Sequence, residues 1–197
     1  MNFSKFIELY DKPGAVVLLE GKRKVLDIDK PRLIKLSHIL AENTKHIRFR
    51  SGNATGSYNY FAKAFAANKP DRFEVVIPYK GHRSYDSEGF NIINIEDIHL
   101  TKASRIVIQS KSNKKNVRIF DAYIEGERNT MAMKAAYLLR DTLKVLGNPP
   151  IIKSADFAIF YDDLMNPESG GTGHTISICR TNNIPNINQR IWFNWVE

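Results

Sequence analysis

A single cysteine, Cys179, stands among the 197 residues of this chain, and one thiol closes no internal disulfide. That scarcity fits a reducing compartment, and the expected location is the cytoplasm. No run of about 18 apolar residues occurs, so neither a transmembrane helix nor membrane contact is expected. Met1-Asn2-Phe3-Ser4-Lys5 lacks the apolar stretch of a secretory signal. His38, His46, His82, His99 and His174 are scattered without zinc-ligand spacing. No metal site and no cofactor is therefore expected. The chain has no G-x-x-x-x-G-K-[ST], which argues against a P-loop NTPase. It also has no G-x-G-x-x-G after its first apolar run, which argues against an ordinary dinucleotide fold.

What is present suits one soluble domain spanning residues 1–197. The charge is +8, from 29 basic and 21 acidic residues. Between Ile98 and Phe120 there are six lysines and arginines and no acid, and Lys22-Arg23-Lys24 forms a second cluster. Such a surface suits phosphate-bearing partners, but a solvated basic face would look the same.

Ala15-Val16-Val17-Leu18-Leu19 is a continuous, β-branched apolar run and reads as a central strand buried on both faces. Ile47 to Arg50, Phe73 to Pro78, Ser104 to Gln109, Phe157 to Tyr161 and Ile184 to Ile187 read as further strands. Asp29 caps a helix with Pro31 in its first turn and Leu33, Leu36 and Leu40 on one stripe. Another helix turns Phe61, Ala64 and Phe65 inward. Glu127 to Leu146 is the clearest helix, ended by Gly147. Within it, Arg140-Asp141 reads as an exposed ion-pairing surface, with a ligand contact as the alternative. Tyr79 to Thr101 is a polar excursion on the ligand-facing edge, and Ser110 to Lys115 an exposed loop. Trp192 and Trp195 pack the C-terminal tail on the core, with base stacking as the alternative.

Strands alternating with helices imply an α/β fold, a mostly parallel sheet covered by helices on both faces. Ligands of such sheets bind beyond the carboxyl ends of the strands. Glu20 to Arg23, Ser51 to Ser57, Gly81 to Arg83 and Gly170 to Thr175 each follow a strand, so they should converge. The last stretch is the richest. Gly170-Gly171-Thr172-Gly173 follows the Phe157 to Tyr161 strand and leads into a helix with Ile176 and Cys179 inward. A strand, a glycine turn and a helix start present N–H groups to an anion. A tight loop that merely needs glycine is the plainer reading.

Two stretches carry a resemblance. Phe49-Arg50-Ser51-Gly52-Asn53-Ala54-Thr55-Gly56-Ser57 resembles the phosphate-side loop of the SLOG superfamily, which joins DprA to the LOG-type phosphoribohydrolases. Ser169-Gly170-Gly171-Thr172-Gly173-His174-Thr175 is similar to its second glycine motif. The resemblance implies a Rossmann-like three-layer sandwich that binds a nucleotide or nucleotide-derived phosphate ligand. Its phosphate-binding residues would be Arg50, Ser51, Gly52, Asn53, Gly56 and Ser57 in the first loop. Gly170, Gly171, Thr172, Gly173, His174 and Thr175 would serve in the second, and His82 and Arg83 are further candidates at a third strand end. Two positions depart from the pattern. His174 stands in the threonine place of the LOG motif with no acid after it, and Tyr58 stands where DprA-like loops carry an aspartate.

The first expectation is a binding module that senses or sequesters a small nucleotide. The second is a nucleotide N-glycosidase of LOG type, with Glu20, Asp141 and His174 as candidate acid–base groups. The third is single-stranded nucleic-acid binding of DprA type, ranked below the small ligand. A homodimer is compatible with the sequence.

Overall fold

The computed structural model describes residues 1–83, 89–112, 117–167 and 169–197. Its centre is β1 (Val16–Gly21), buried along five of its six positions. To one side lie β2 (Arg48–Ser51), β3 (Phe73–Ile77) and β4 (Asn91–Asn94), and to the other β5 (Phe157–Tyr161) and β6 (Asn186–Asn188). The order is β4-β3-β2-β1-β5-β6, with every pairing parallel. Side chains alternate across each strand. Val17 and Leu19 therefore join Phe49, Phe157 and Ile159 in one apolar layer, while Leu18 joins Ala158 and Phe160 in the other.

Over the first face lie α1 (Phe3–Tyr10), α2 (Lys30–Asn43), α3 (Ser57–Phe61) and α4 (Lys63–Asn68), which bury Phe6, Leu33, Leu36, Leu40, Phe61 and Phe65. Burying one such side chain stabilises the fold by about 1.5–3 kcal/mol. The second face is covered by α5 (Arg105–Ser110), α6 (Val117–Ile124), α7 (Thr130–Leu146) and α8 (Gly170–Thr181). The chain thus forms a Rossmann-like α/β sandwich. Cys179 is wholly buried on α8, and burial together with the Glu20 charge pushes its thiol up to about 12. A last short helix, α9 (Gln189–Trp192), inserts Trp192, whose indole donates to the Phe160 carbonyl at 2.9 Å. Trp195 packs on Phe3 and Phe6, with ring centroids 5.5 and 5.2 Å away. Both rings close the core.

Several expectations need correction. Residues 104–109 form no strand: Ser104 precedes α5, whose Ile106, Val107 and Ser110 are buried while Ile108 faces solvent. Buried positions at i, i+1 and i+4 follow helical, not alternating, periodicity. The missing strand is β4, inside the supposed excursion. It is a half-exposed edge with asparagine at both ends and shows little apolar alternation. Asp29 sits at the start of α2 without capping it; its carboxylate instead accepts from the Tyr161 hydroxyl at 2.7 Å. Arg140 and Asp141 are buried, not exposed. The expected loop at 110–115 lies partly outside the described residues.

A buried ion pair joins the middle of the sheet to the second helical layer. Arg50 on β2 and Glu74 on β3 are neighbours in register, Nε to Oε2 2.7 Å. Arg50 Nη1 also donates to the carbonyls of Lys144 and Lys153, at 3.0 and 2.8 Å. It thereby satisfies a carbonyl in the last turn of α7 and ties that helix end to the sheet.

Candidate functional site

From β1 the chain proceeds outward through β2, β3 and β4, and from β5 it proceeds the other way to β6. Loops leaving the carboxyl ends of β1 and β5 diverge, and such a switch point opens a crevice. Here the crevice has a volume of about 650 Å³. Glu20 to Arg23 form one wall and Ala54, from the loop after β2, touches it. Lys134, Tyr137, Leu138, Arg140 and Asp141 of α7 form a second wall, and 169–172 a third.

Close backbone contact builds the first corner. Lys22 N donates to the Tyr161 carbonyl at 2.9 Å, and its own carbonyl accepts from Ser57 N at 3.3 Å. Gly56, with φ of +97°, lies against Arg23 so tightly that a Cβ would stand 2.2 Å from the Arg23 carbonyl oxygen. Only glycine combines that φ with that approach.

The floor is a chain of buried charges. Lys144 Nζ lies 2.6 Å from Glu20 Oε2 and 2.8 Å from Asp141 Oδ1. Arg140 donates to the same Asp141 oxygen from Nη2 and Nε, at 2.8 and 3.1 Å. Ser51 Oγ donates to the Leu19 carbonyl at 2.6 Å and lies 3.3 Å from Glu20 Oε1. The two carboxyls are pushed apart. Burial raises that of Glu20 despite Lys144 beside it. Burial acts on Asp141 too, but Arg140 and Lys144 outweigh it and hold that carboxyl below its ordinary value.

Two features of the crevice address an anion. Arg140 is buried, and among the described residues its Nη1 has no hydrogen-bond partner, although the Tyr137 ring lies 5.3 Å from the guanidinium centre. A buried cationic donor left unmet is costly and is rarely kept without a role. The start of α8 is the second feature. Gly173 N makes the first backbone bond of that turn, to the Ser169 carbonyl at 3.0 Å. The N–H groups of Gly170, Gly171 and Thr172 precede it, and these residues line the crevice. Lys22, Arg23, Lys134 and Arg140 stand against Glu20 and Asp141 in the lining, so the local charge is positive.

Of the sequence-predicted residues, the structure brings Glu20, Asp141, Gly170, Gly171 and Thr172 together here. It does not bring Arg50, which is held in the buried pair with Glu74. Ser51, Gly52, Gly56 and Ser57 shape the corner beneath: Ser51 holds Glu20, Gly52 passes beside Lys144 and Arg140, and Gly56 and Ser57 meet the first loop. Asn53 Nδ2 donates to the carbonyls of His82 and Arg83, at 3.0 Å each, and His82 Nε2 lies 3.2 Å from the Asn53 carbonyl. Asn53 and His82 are thus loop braces, and Arg83 does not line the crevice. Gly173 and Thr175 are buried in α8, where Thr175 Oγ1 donates to the Gly171 carbonyl. His174 turns to Thr142 on α7, Nε2 to Oγ1 2.9 Å, and burial lowers its ring below the usual histidine range. The second glycine stretch is therefore the first turn of a helix, not a loop ahead of one.

Lys134, Tyr137 and Ser169 were missed, and for Arg140 a ligand contact was only the alternative. Tyr137, Arg140, Asp141 and Lys144 recur at i, i+3, i+4 and i+7, the spacing of one helix face. That polar stripe beside the apolar one was the readable signal.

Neither a protein-family model nor a curated protein sequence matches the chain. A solved structure is similar: DNA processing protein A from Helicobacter pylori, which has a single-stranded DNA binding mode. It matches with a TM-score of 0.50 at 17% identity, over 92% of this chain and 67% of that one. The likeness is one of fold. Among the described residues no helix is long and apolar enough to cross a membrane, and no cluster of His, Cys, Asp or Glu forms a metal site.

Proposed function

We propose that the crevice binds the phosphate group of a nucleotide, as a binding module and not as a catalyst. Arg140, whose Nη1 is unmet among the described residues, shares the crevice lining with the first turn of α8, and this carries the reading. A phosphate there would accept from Arg140 and from the N–H groups of Gly170 to Thr172, with Lys22 and Arg23 at the rim. A volume of about 650 Å³ suits a ligand of mononucleotide size. Glu20 is tied to Lys144 and Ser51, an arrangement that favours a structural floor over an acid–base role.

Calorimetry with nucleoside monophosphates tests the reading, and binding of none of them would overturn it. Release of free base at about 1 per second or faster, abolished by Glu20→Gln, would replace it with N-glycosidic cleavage.

A second reading has its own support in the fold shared with DNA processing protein A and in the +8 charge. The phosphate would then belong to single-stranded nucleic acid. Oligonucleotides would bind much more tightly than mononucleotides, with affinity falling steeply as salt rises.

A further inference from the structure

The crevice continues past Arg140. A second hollow of about 450 Å³ opens along the first half of α7, lined by Arg128, Asn129, Thr130, Met133, Lys134 and Tyr137. Lys134 and Tyr137 line both spaces, so the tyrosine stands at their junction. Among the described residues no carboxylate lines the second space, and two cations do.

Tyr137 is held in place from several sides. The Arg140 guanidinium lies 5.3 Å from its ring centroid, and the His82 ring meets it edge-on at 5.7 Å. His82 packs against Tyr79 at 4.9 Å, and the hydrogen bond between the Tyr79 and Tyr137 hydroxyls raises that of Tyr79. Asn53 fixes the loop that carries His82 through two side-chain bonds of 3.0 Å. The loops after β2 and β3 thus set the angle of one half-buried aromatic ring on α7. An aromatic ring so fixed loses little freedom when a flat partner stacks on it.

We propose that this second hollow is a nucleobase subsite, with Tyr137 as its stacking platform and Met133 as its outer wall. The subsite rests on the phosphate reading: the phosphate lies at Arg140 and the start of α8, and the base reaches past Lys134. The favoured ligand therefore carries both groups, and the ring contributes specificity that a bare sugar phosphate lacks. Base–aromatic stacking corresponds to about 5- to 150-fold in affinity.

The test is calorimetry of the full chain with the four nucleoside 5′-monophosphates, adenosine, ribose 5-phosphate and inorganic phosphate. At least one monophosphate should bind more than 5-fold tighter than ribose 5-phosphate. Tyr137→Leu should erase that advantage, weakening the monophosphate about 5-fold or more beyond any effect on ribose 5-phosphate, whereas Tyr137→Phe should keep most of it. Met133→Trp, at an exposed position, should block the hollow with the same selective loss, and it serves if Tyr137→Leu does not fold. Equal affinity for ribose 5-phosphate and every monophosphate would overturn the subsite, as would a Tyr137→Leu effect equal on both. Should inorganic phosphate and ribose 5-phosphate fail to bind while adenosine binds in a Tyr137-dependent way, the phosphate reading falls and the base subsite stands.

Discussion

Lys144 reaches from α7 to Glu20 at the end of β1, Nζ to Oε2 2.6 Å, with the ammonium group's side chain only 1% exposed. The same nitrogen holds Asp141 at 2.8 Å. Removing it leaves two buried carboxyls with one cation. Lys144→Met should therefore destabilise the fold by about 3–5 kcal/mol, measured by urea unfolding at neutral pH. Glu20, already raised by burial, would take up a proton more readily in the variant. The deficit should shrink toward pH 5, and a pH-independent loss would contradict this account.

His174 gives the opposite pH signature. Its folded pKa is lowered from 6.5, first by burial, and the ring meets Thr142 Oγ1. The unfolded chain then binds the proton more readily, so stability falls as pH drops below 6.5 toward the folded value. Thermal melts should show wild type losing Tm over that range, and His174→Gln should have a flatter profile. Parallel profiles would mean that the ring is not buried.

Arg140→Lys separates the two duties of that side chain. Lysine can keep a charge beside Asp141 but lacks the second arm that carries the unmet Nη1. Affinity for nucleoside monophosphates should fall about 10- to 100-fold, the scale of one charge-assisted hydrogen bond. The melting temperature should change little. Unchanged affinity by calorimetry would move the phosphate elsewhere.

Gly171→Val tests the other half of the cradle. A Cβ at Gly171 would lie 3.1 Å from Asp141 Oδ2 and within the mouth of the crevice. Valine is no worse than glycine in a helix. The variant should fold, with circular dichroism like wild type, yet lose measurable phosphate binding. A folded variant with wild-type affinity would show that α8 does not receive the ligand.

The strands of the sheet interior were readable because their runs are apolar on both faces, as Val16 to Leu19 and Phe157 to Tyr161 show. At the edge this signal fades: Asn91–Asn94 is half-exposed and mostly polar at its ends, so nothing marked it as a strand. Arg105–Ser110 failed for the reverse reason, since Ile-Val-Ile mimics a strand while only part of it is buried. In the site, glycines advertised the backbone cradle but not the cations opposite. Arg140 looked like a surface charge, and Lys144 drew no reading, because long charged side chains rarely lie under a helix; Glu20 and Asp141 explain both. Arg50, next to a glycine-rich loop, looked like a phosphate ligand; its partner Glu74 lies 24 residues away and could not be paired with it from one sequence.

The position of β1 also sets an order of assembly. Its partner on one side, β2, follows within the same part of the chain, but Val17 meets Phe157 on the other, and the adjoining Val16–Asp156 bond spans 140 residues. Pairings of such separation form slowly. During synthesis β1 to β4 can associate while one edge of β1 stays open, a sticky template until Phe157–Tyr161 emerges. The crevice exists only once β5 has docked and α8 has followed it. A nascent chain is therefore most prone to aggregate before β5 docks, and it stays unable to bind until α8 has followed.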